Sequence, residues 1–118
     1  FFIEADFKAV APTESPSRMT FSVESRSLAR LSEVTQLIEL YNFTSDQYEV
    51  FDSRVIRAAD STATVEASGD LSQYVEAGTL EIRARVGFER VSNAGAIAPK
   101  PKLLYRVEID QLSWLIAN

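Results

Sequence analysis

Neither cysteine nor histidine occurs anywhere in the 118 residues. Thiolate nucleophiles, disulfides, zinc sites built on Cys or His, and triads that need an imidazole base are therefore excluded. Carboxylates, hydroxyls, amines and phenols are what remains for chemistry. The lack of cysteine leaves the compartment open, because disulfides are merely common in oxidising ones. No apolar run approaches the roughly 20 residues needed to cross a bilayer, and no internal repeat or low-complexity segment occurs. The chain opens on Phe1 with neither an initiating Met nor a signal-peptide pattern, which fits a processed product or a piece of a longer protein, and the second is preferred.

Positive charge is also in short supply. Twelve Lys and Arg face seventeen Asp and Glu, a formal net charge of −5, and the basic residues are scattered. A polyanion partner needs a positive field against its phosphates, so nucleic acid is disfavoured, as is an anionic membrane surface. Hydrophobic residues make up 46% and charged residues 25%, ordinary globular proportions that argue against disorder. A single domain over residues 1–118 is expected, burying about two-thirds of the surface its unfolded chain would expose.

What is abundant is alternation. From Thr79 to Arg90, Leu80, Ile82, Ala84, Val86 and Phe88 fall on one side and Glu81, Arg83, Arg85 and Glu89 on the other. Side chains of an extended chain point to opposite faces at every second residue, so this is a strand with one dry and one wet face. The same rhythm predicts strands over Phe1 to Val10 and Arg18 to Arg26, with Pro12 to Ser17 a loop. Leu28, Leu31, Val34, Ile38 and Tyr41 fit helical spacing, with Ser27 available as a cap, yet Val34 to Phe43 has the β-branched and aromatic content of a strand. A loop to about Glu33 followed by a strand is preferred, because Phe43 to Gln47 is turn-like and Tyr48 to Arg57 resumes strand character, which makes a hairpin.

Parity changes within Tyr48 to Arg57 predict a bulge or an edge position there. Asp60 and Ser61 turn the chain into a short strand over Thr62 to Ala67. Between Ser68 and Gly78, Leu71, Tyr74 and Val75 at helical spacing, with Asp70 or Ser68 as cap, predict a one-turn plug on the end of a sandwich. Val91 to Lys102 reads as the longest exposed loop. In Leu103 to Ile116 the apolar parity switches between Ile109 and Leu112, so either a bulge near Asp110 and Gln111 returns both sets to the core, or the strand crosses from one sheet edge and is buried on both sides. The fold class is all-β: an antiparallel β-sandwich of about seven to eight strands, preferably a jelly roll.

The run Leu37-Ile-Glu-Leu-Tyr-Asn-Phe43, its partner Tyr48-Glu-Val-Phe-Asp52, the tract Tyr74 to Arg85 and the closing Val107 to Trp114 resemble modules of large bacterial exported proteins. More loosely, they are similar to galactose-binding-like jelly rolls of the carbohydrate-binding-module kind. The resemblance spans about residues 34 to 116 and rests on strand patterning. It implies an extracytoplasmic accessory domain, secreted or at the cell surface, that in some relatives binds carbohydrate. Sugar-binding modules of this kind usually present exposed aromatic rings, and the sequence does not place such a platform. The lone tryptophan, Trp114, reads as core or as a sheet-edge anchor.

Candidate ligand contacts are Tyr41, Asn42 and Tyr48 beside the hairpin loop, and Arg83, Arg85 and Arg106 on polar strand faces. If the strand of Arg83 and Arg85 neighbours that of Arg106, Glu108 and Asp110, these charges form a cross-strand ladder, each pair contributing about 0.2–1 kcal/mol. Asn42-Phe43-Thr44 matches a glycosylation acceptor, of consequence only in a eukaryotic secretory pathway. Glu4 with Asp6, or Glu108 with Asp110, are carboxylate pairs about 7 Å apart along a strand, superficially suited to glycosidase chemistry. Solvated strands carry such pairs routinely, and no enzyme is expected. No cofactor is expected either: calcium at a sandwich edge is conceivable, but Asp52, Asp60 and Asp70 are too dispersed to indicate it. The leading expectation is a non-enzymatic recognition or attachment module with a carbohydrate ligand. The alternative is a structural or assembly domain that meets another protein through a sheet face or edge.

Overall fold

The computed structural model describes residues 3–27, 34–56, 61–90 and 107–117. Within them lie seven strands: β1 (Ile3–Val10), β2 (Arg18–Ser27), β3 (Val34–Asn42), β4 (Gln47–Ile56), β5 (Ser61–Glu66), β6 (Glu81–Arg90) and β7 (Val107–Ala117). They form a four-stranded sheet, ordered β1-β6-β3-β4, and a three-stranded sheet, ordered β5-β2-β7, and every pairing is antiparallel. The expected all-β sandwich is what the chain forms. Among the described strands only β3 and β4 follow one another within a sheet. Each other step in strand order crosses to the opposite sheet.

Alternation fixes the interior. Ile82, Ala84, Val86 and Phe88 of β6, Val34, Ile38 and Leu40 of β3, and Met19, Phe21 and Val23 of β2 are all at most 1% exposed and face one another between the sheets. Phe21 lies at the centre, with its ring 6.5 Å from Phe7 and 4.5 Å from Trp114. Trp114 is half-buried on the inner side of β7, an edge strand among those described, so it is both core contact and edge anchor. Ser25 and Gln36 are the polar exception, almost wholly buried, and the Ser25 hydroxyl donates to the Gln36 amide oxygen across the sheets. Pairing them removes the desolvation cost that either would carry alone.

Both expected irregularities are present. The β2–β7 register shifts between Glu24 and Ser25, whose partners are Gln111 and Ile109, so Asp110 is the extra residue. That bulge turns Ile109 as well as Leu112, Trp114 and Ile116 toward the core. The β3–β4 register shifts between Ile38 and Glu39, whose partners are Asp52 and Val50, leaving Phe51 as the bulge. Phe51 thereby turns inward, 5.6 Å from the Tyr74 ring. Strand β4 is also an edge, so both alternatives read from its parity hold.

The plug is a 3-10 turn over Leu71–Tyr74, capped by Asp70, whose carboxylate accepts from the Ser72 backbone N–H and hydroxyl at 3.1 and 2.6 Å. Those bonds hold the Asp70 carboxyl below its ordinary range. Leu71, Tyr74 and Val75 are buried beneath it.

One expectation is corrected. Strands β6 and β7 belong to different sheets, so Arg83 and Arg85 have no ladder with the residues of the last strand. Alternation specifies which face a residue occupies and leaves the neighbouring strand open. Arg106 and Asp60 lie outside the described residues, as do 91–106 and 28–33, including the whole of the expected long loop over 91–102.

Candidate functional site

The outward face of the four-stranded sheet follows directly from the pairing. Asp6 on β1 stands opposite Arg85 on β6, which stands opposite Glu39 on β3, which stands opposite Val50 on β4. In the next row toward the β3–β4 hairpin, Lys8 faces Arg83, and Tyr41 faces Tyr48. Four of the six expected contact residues, Tyr41, Tyr48, Arg83 and Arg85, therefore meet on one surface from three strands.

Three rings form its apolar part. The Tyr41 ring meets Phe43 at 4.8 Å and Tyr48 at 5.0 Å, both edge to face, the arrangement the ring quadrupole favours. Two guanidinium groups lie over them. Arg83 is 5.2 Å from the centroids of both Tyr41 and Phe43, and Arg85 is 3.9 Å from that of Tyr48. Half-exposed stacks of this kind contribute about 0.5–1 kcal/mol each. The Tyr41 hydroxyl donates to Asp46, and that bond, before any burial, raises its pKa.

Carboxylates hold the arginines from the other side. Arg83 pairs with Glu81 at 2.5 Å and Glu76 at 3.8 Å, and Arg85 with Asp6 at 3.0 Å and Glu4 at 3.2 Å. The Glu4 and Asp6 pair, which along one strand resembled glycosidase spacing, is thus a two-pronged clasp on one guanidinium. Burial works against the charge on Arg85, but Asp6 and Glu4 outweigh it and its pKa is raised. Arg83 is raised as well, first by its bond to Glu81.

Asn42 belongs to the opposite side of β3. It is 4% exposed, and its amide oxygen accepts from the backbone N–H groups of Thr44 and Ser45 at 2.8 and 3.0 Å. Its amide nitrogen donates to Gln73 at 3.0 Å and Glu49 at 3.3 Å. The Phe43 N–H donates to the Gln73 carbonyl at 2.7 Å, and the Tyr74 hydroxyl to Glu49 at 2.8 Å. Burial first, and then Glu49, pushes the Tyr74 phenol up to about 12. Asn42 is thus the fastener of the hairpin that carries Tyr41, Phe43 and Tyr48, and the folded chain does not offer its amide for glycosylation.

Asp46 ends the hairpin loop in the left-handed region, at φ 58°, a conformation its short polar side chain tolerates. Asp52 is engaged by Arg54 through two bonds of 2.7 and 2.9 Å. Among the described residues no group of three or more Asp or Glu could hold a metal ion, and no helix is long and apolar enough to cross a membrane.

Sequence reasoning missed Phe43, which it assigned to the turn, and Glu39. The signal for Glu39 was available: it is the sole charged residue in Leu37-Ile-Glu-Leu-Tyr41, with the same parity as Tyr41. Glu39 is 8% exposed yet makes no hydrogen bond or ion pair among the described residues. Its pKa is raised, first by burial and further by Glu4, Asp6 and Glu89, against the pull of Arg85.

No protein-family model matches the chain, and neither a curated protein nor a solved structure does. The fold and this surface define a β-sandwich domain with an interlocked face of arginine, aromatic and carboxylate side chains.

Proposed function

We propose that the chain is a non-enzymatic recognition module that binds carbohydrate on the outer face of the four-stranded sheet. The observation that carries this reading is the convergence of Tyr41, Phe43 and Tyr48 with Arg83 and Arg85 on one surface. A pyranose offers an apolar patch of C–H groups and a rim of hydroxyls. Aromatic rings complement the first, while guanidinium and carboxylate groups, each able to make paired bonds, complement the second. Holding these groups in mutual contact before a ligand arrives lowers the ordering cost of binding. Glu4, Asp6, Glu76 and Glu81 are engaged by arginine and Asp46 by the Tyr41 hydroxyl, which suits positioning better than proton transfer. The galactose-binding-like resemblance and the extracytoplasmic, accessory role it implies accord with this reading.

A second reading, a protein partner at the sheet edge or face, draws on Val50 and Val55 of edge strand β4, which are 60% and 42% exposed. Tyr and Arg are also the residues that dominate protein interfaces. A glycan array, run beside light scattering across a range of concentrations, separates the two. Array signal that falls at least tenfold in Arg83→Ala and Tyr41→Ala, with a monomeric mass throughout, is the expected result. A silent array with mass rising with concentration would replace it by the second reading.

A further inference from the structure

The charge on the candidate face is strongly unbalanced. Glu4, Asp6, Glu39, Asp46, Glu76, Glu81 and Glu89 lie on or around it, against Lys8, Arg83 and Arg85. The two arginines are already engaged by Glu81, Glu76, Asp6 and Glu4. Glu39 remains. It lies in the middle of the sheet, directly opposite Arg85 and beside Val50, with more than nine-tenths of its surface covered and without a bonded partner among the described residues. Among the described residues no fully enclosed side-chain oxygen or nitrogen lacks a partner, so the unpaired Glu39 oxygens open to solvent through the face. A sheltered carboxylate of this kind gains most from a donor that brings its own positive charge, because the pair forms away from bulk water.

We infer that the face selects sugars bearing a free ammonium group, amino sugars, with Glu39 as the carboxylate that receives it. The inference rests on the carbohydrate reading above and narrows it. An N-acetylated sugar keeps the ring and loses the charge, and an acidic sugar meets the surplus of carboxylates. Of the charged groups that act on Glu39, Arg85 directly opposite works against an incoming ammonium group, while Glu4, Asp6 and Glu89 add negative field that favours it.

The test is an array of matched glycans, β-1,4-linked glucosamine and galactosamine oligomers beside their fully N-acetylated and neutral hexose counterparts, followed by calorimetric titration of the strongest member of each pair. The free-amine member is expected to bind at least tenfold more tightly, with the preference falling as salt is raised. Glu39→Gln should erase that preference while keeping the binding of neutral sugars. Glu66→Gln, on the other sheet, should leave it intact. Glu89→Gln, at an exposed position, gives a partial reduction and serves if the first variant misfolds. Equal binding of the amine and N-acetyl members, or a preference that survives Glu39→Gln, overturns this inference and leaves the broader reading standing. A silent array overturns both.

Discussion

On the outer face of the four-stranded sheet, long charged and aromatic side chains interlock, whereas the three-stranded sheet turns short hydroxyl and amide groups outward. Ser22, Thr62, Thr64, Gln111 and Ser113 occupy the second face together with Glu24. Ser22 and Thr64 share a bond of 2.9 Å, and a shallow depression of about 190 Å³ lies among Ser22, Glu24, Thr62, Gln111 and Ser113. The ion pair there, Arg18 to Glu66 at 3.3 Å, joins side chains that are more than half exposed, so water screens it. On the first face the guanidinium groups are less than one-third exposed and each touches both a ring and a carboxylate. Identical alternation built both surfaces. What separates them is how the long side chains are engaged: guanidinium groups that touch both a ring and a carboxylate convert independent surface residues into one connected array.

The largest effect should strike both faces at once. Phe21→Ala removes the ring shared by Phe7 and Trp114 and should cost about 3–5 kcal/mol in urea denaturation followed by Trp114 fluorescence. A loss under about 1 kcal/mol would mean that the sheets do not share this core. Next comes Asn42→Ala, which leaves Gln73, Glu49 and two backbone N–H groups without their partner. A cost of about 1–3 kcal/mol is expected. Amide exchange should accelerate at Thr44 and Ser45 and leave β5 unchanged, and a uniform acceleration would refute a local fastener.

Glu39 gives a pH-dependent difference confined to the first face. Its folded-state pKa lies above the ordinary 4.5, so between those two values the folded chain holds a proton that the unfolded chain has released. Stability therefore falls as pH rises through that window, and the penalty is complete above it. Glu39→Gln should melt above the parent at neutral pH, with the gap closing below the ordinary value. A variant that melts lower at neutral pH would show that attraction to Arg85 outweighs burial. The smallest effect belongs to the other face: Thr64→Ala should shift stability by no more than about 0.5 kcal/mol and leave glycan binding unchanged. A larger change would grant the hydroxyl surface a role that its exposure does not suggest.

Much of this architecture is legible from residue order because burial enforces period two. Ile82, Ala84, Val86 and Phe88 must face inward together, and of the two readings of the parity break near Asp110 the bulge is the one that forms. Leu71, Tyr74 and Val75 are legible through burial too, at helical spacing instead of period two. The pairing of strands was not legible. Nothing in the alternation of Arg83 and Arg85 distinguishes β1 from β7 as a neighbour, since both offer charged residues at alternate positions, and β3 offers only Glu39. The site was accordingly half visible: Tyr41, Tyr48, Arg83 and Arg85 were identifiable by type and parity, but Asn42 shares their loop and faces the other way. Glu39 escaped because its shelter comes from the sheet around it, and no local pattern encodes that.

The central strand of the smaller sheet has a temporal consequence. Residues of β2 need β7, which starts only at Val107, to complete their ladder, and β1 likewise waits for β6. Closing such distant pairs demands that much chain entropy be lost before the contacts repay it, which places folding on the order of milliseconds to seconds. As the chain leaves the ribosome, Met19, Phe21 and Val23 emerge long before their β7 neighbours, an interval in which a chaperone has a ready apolar target.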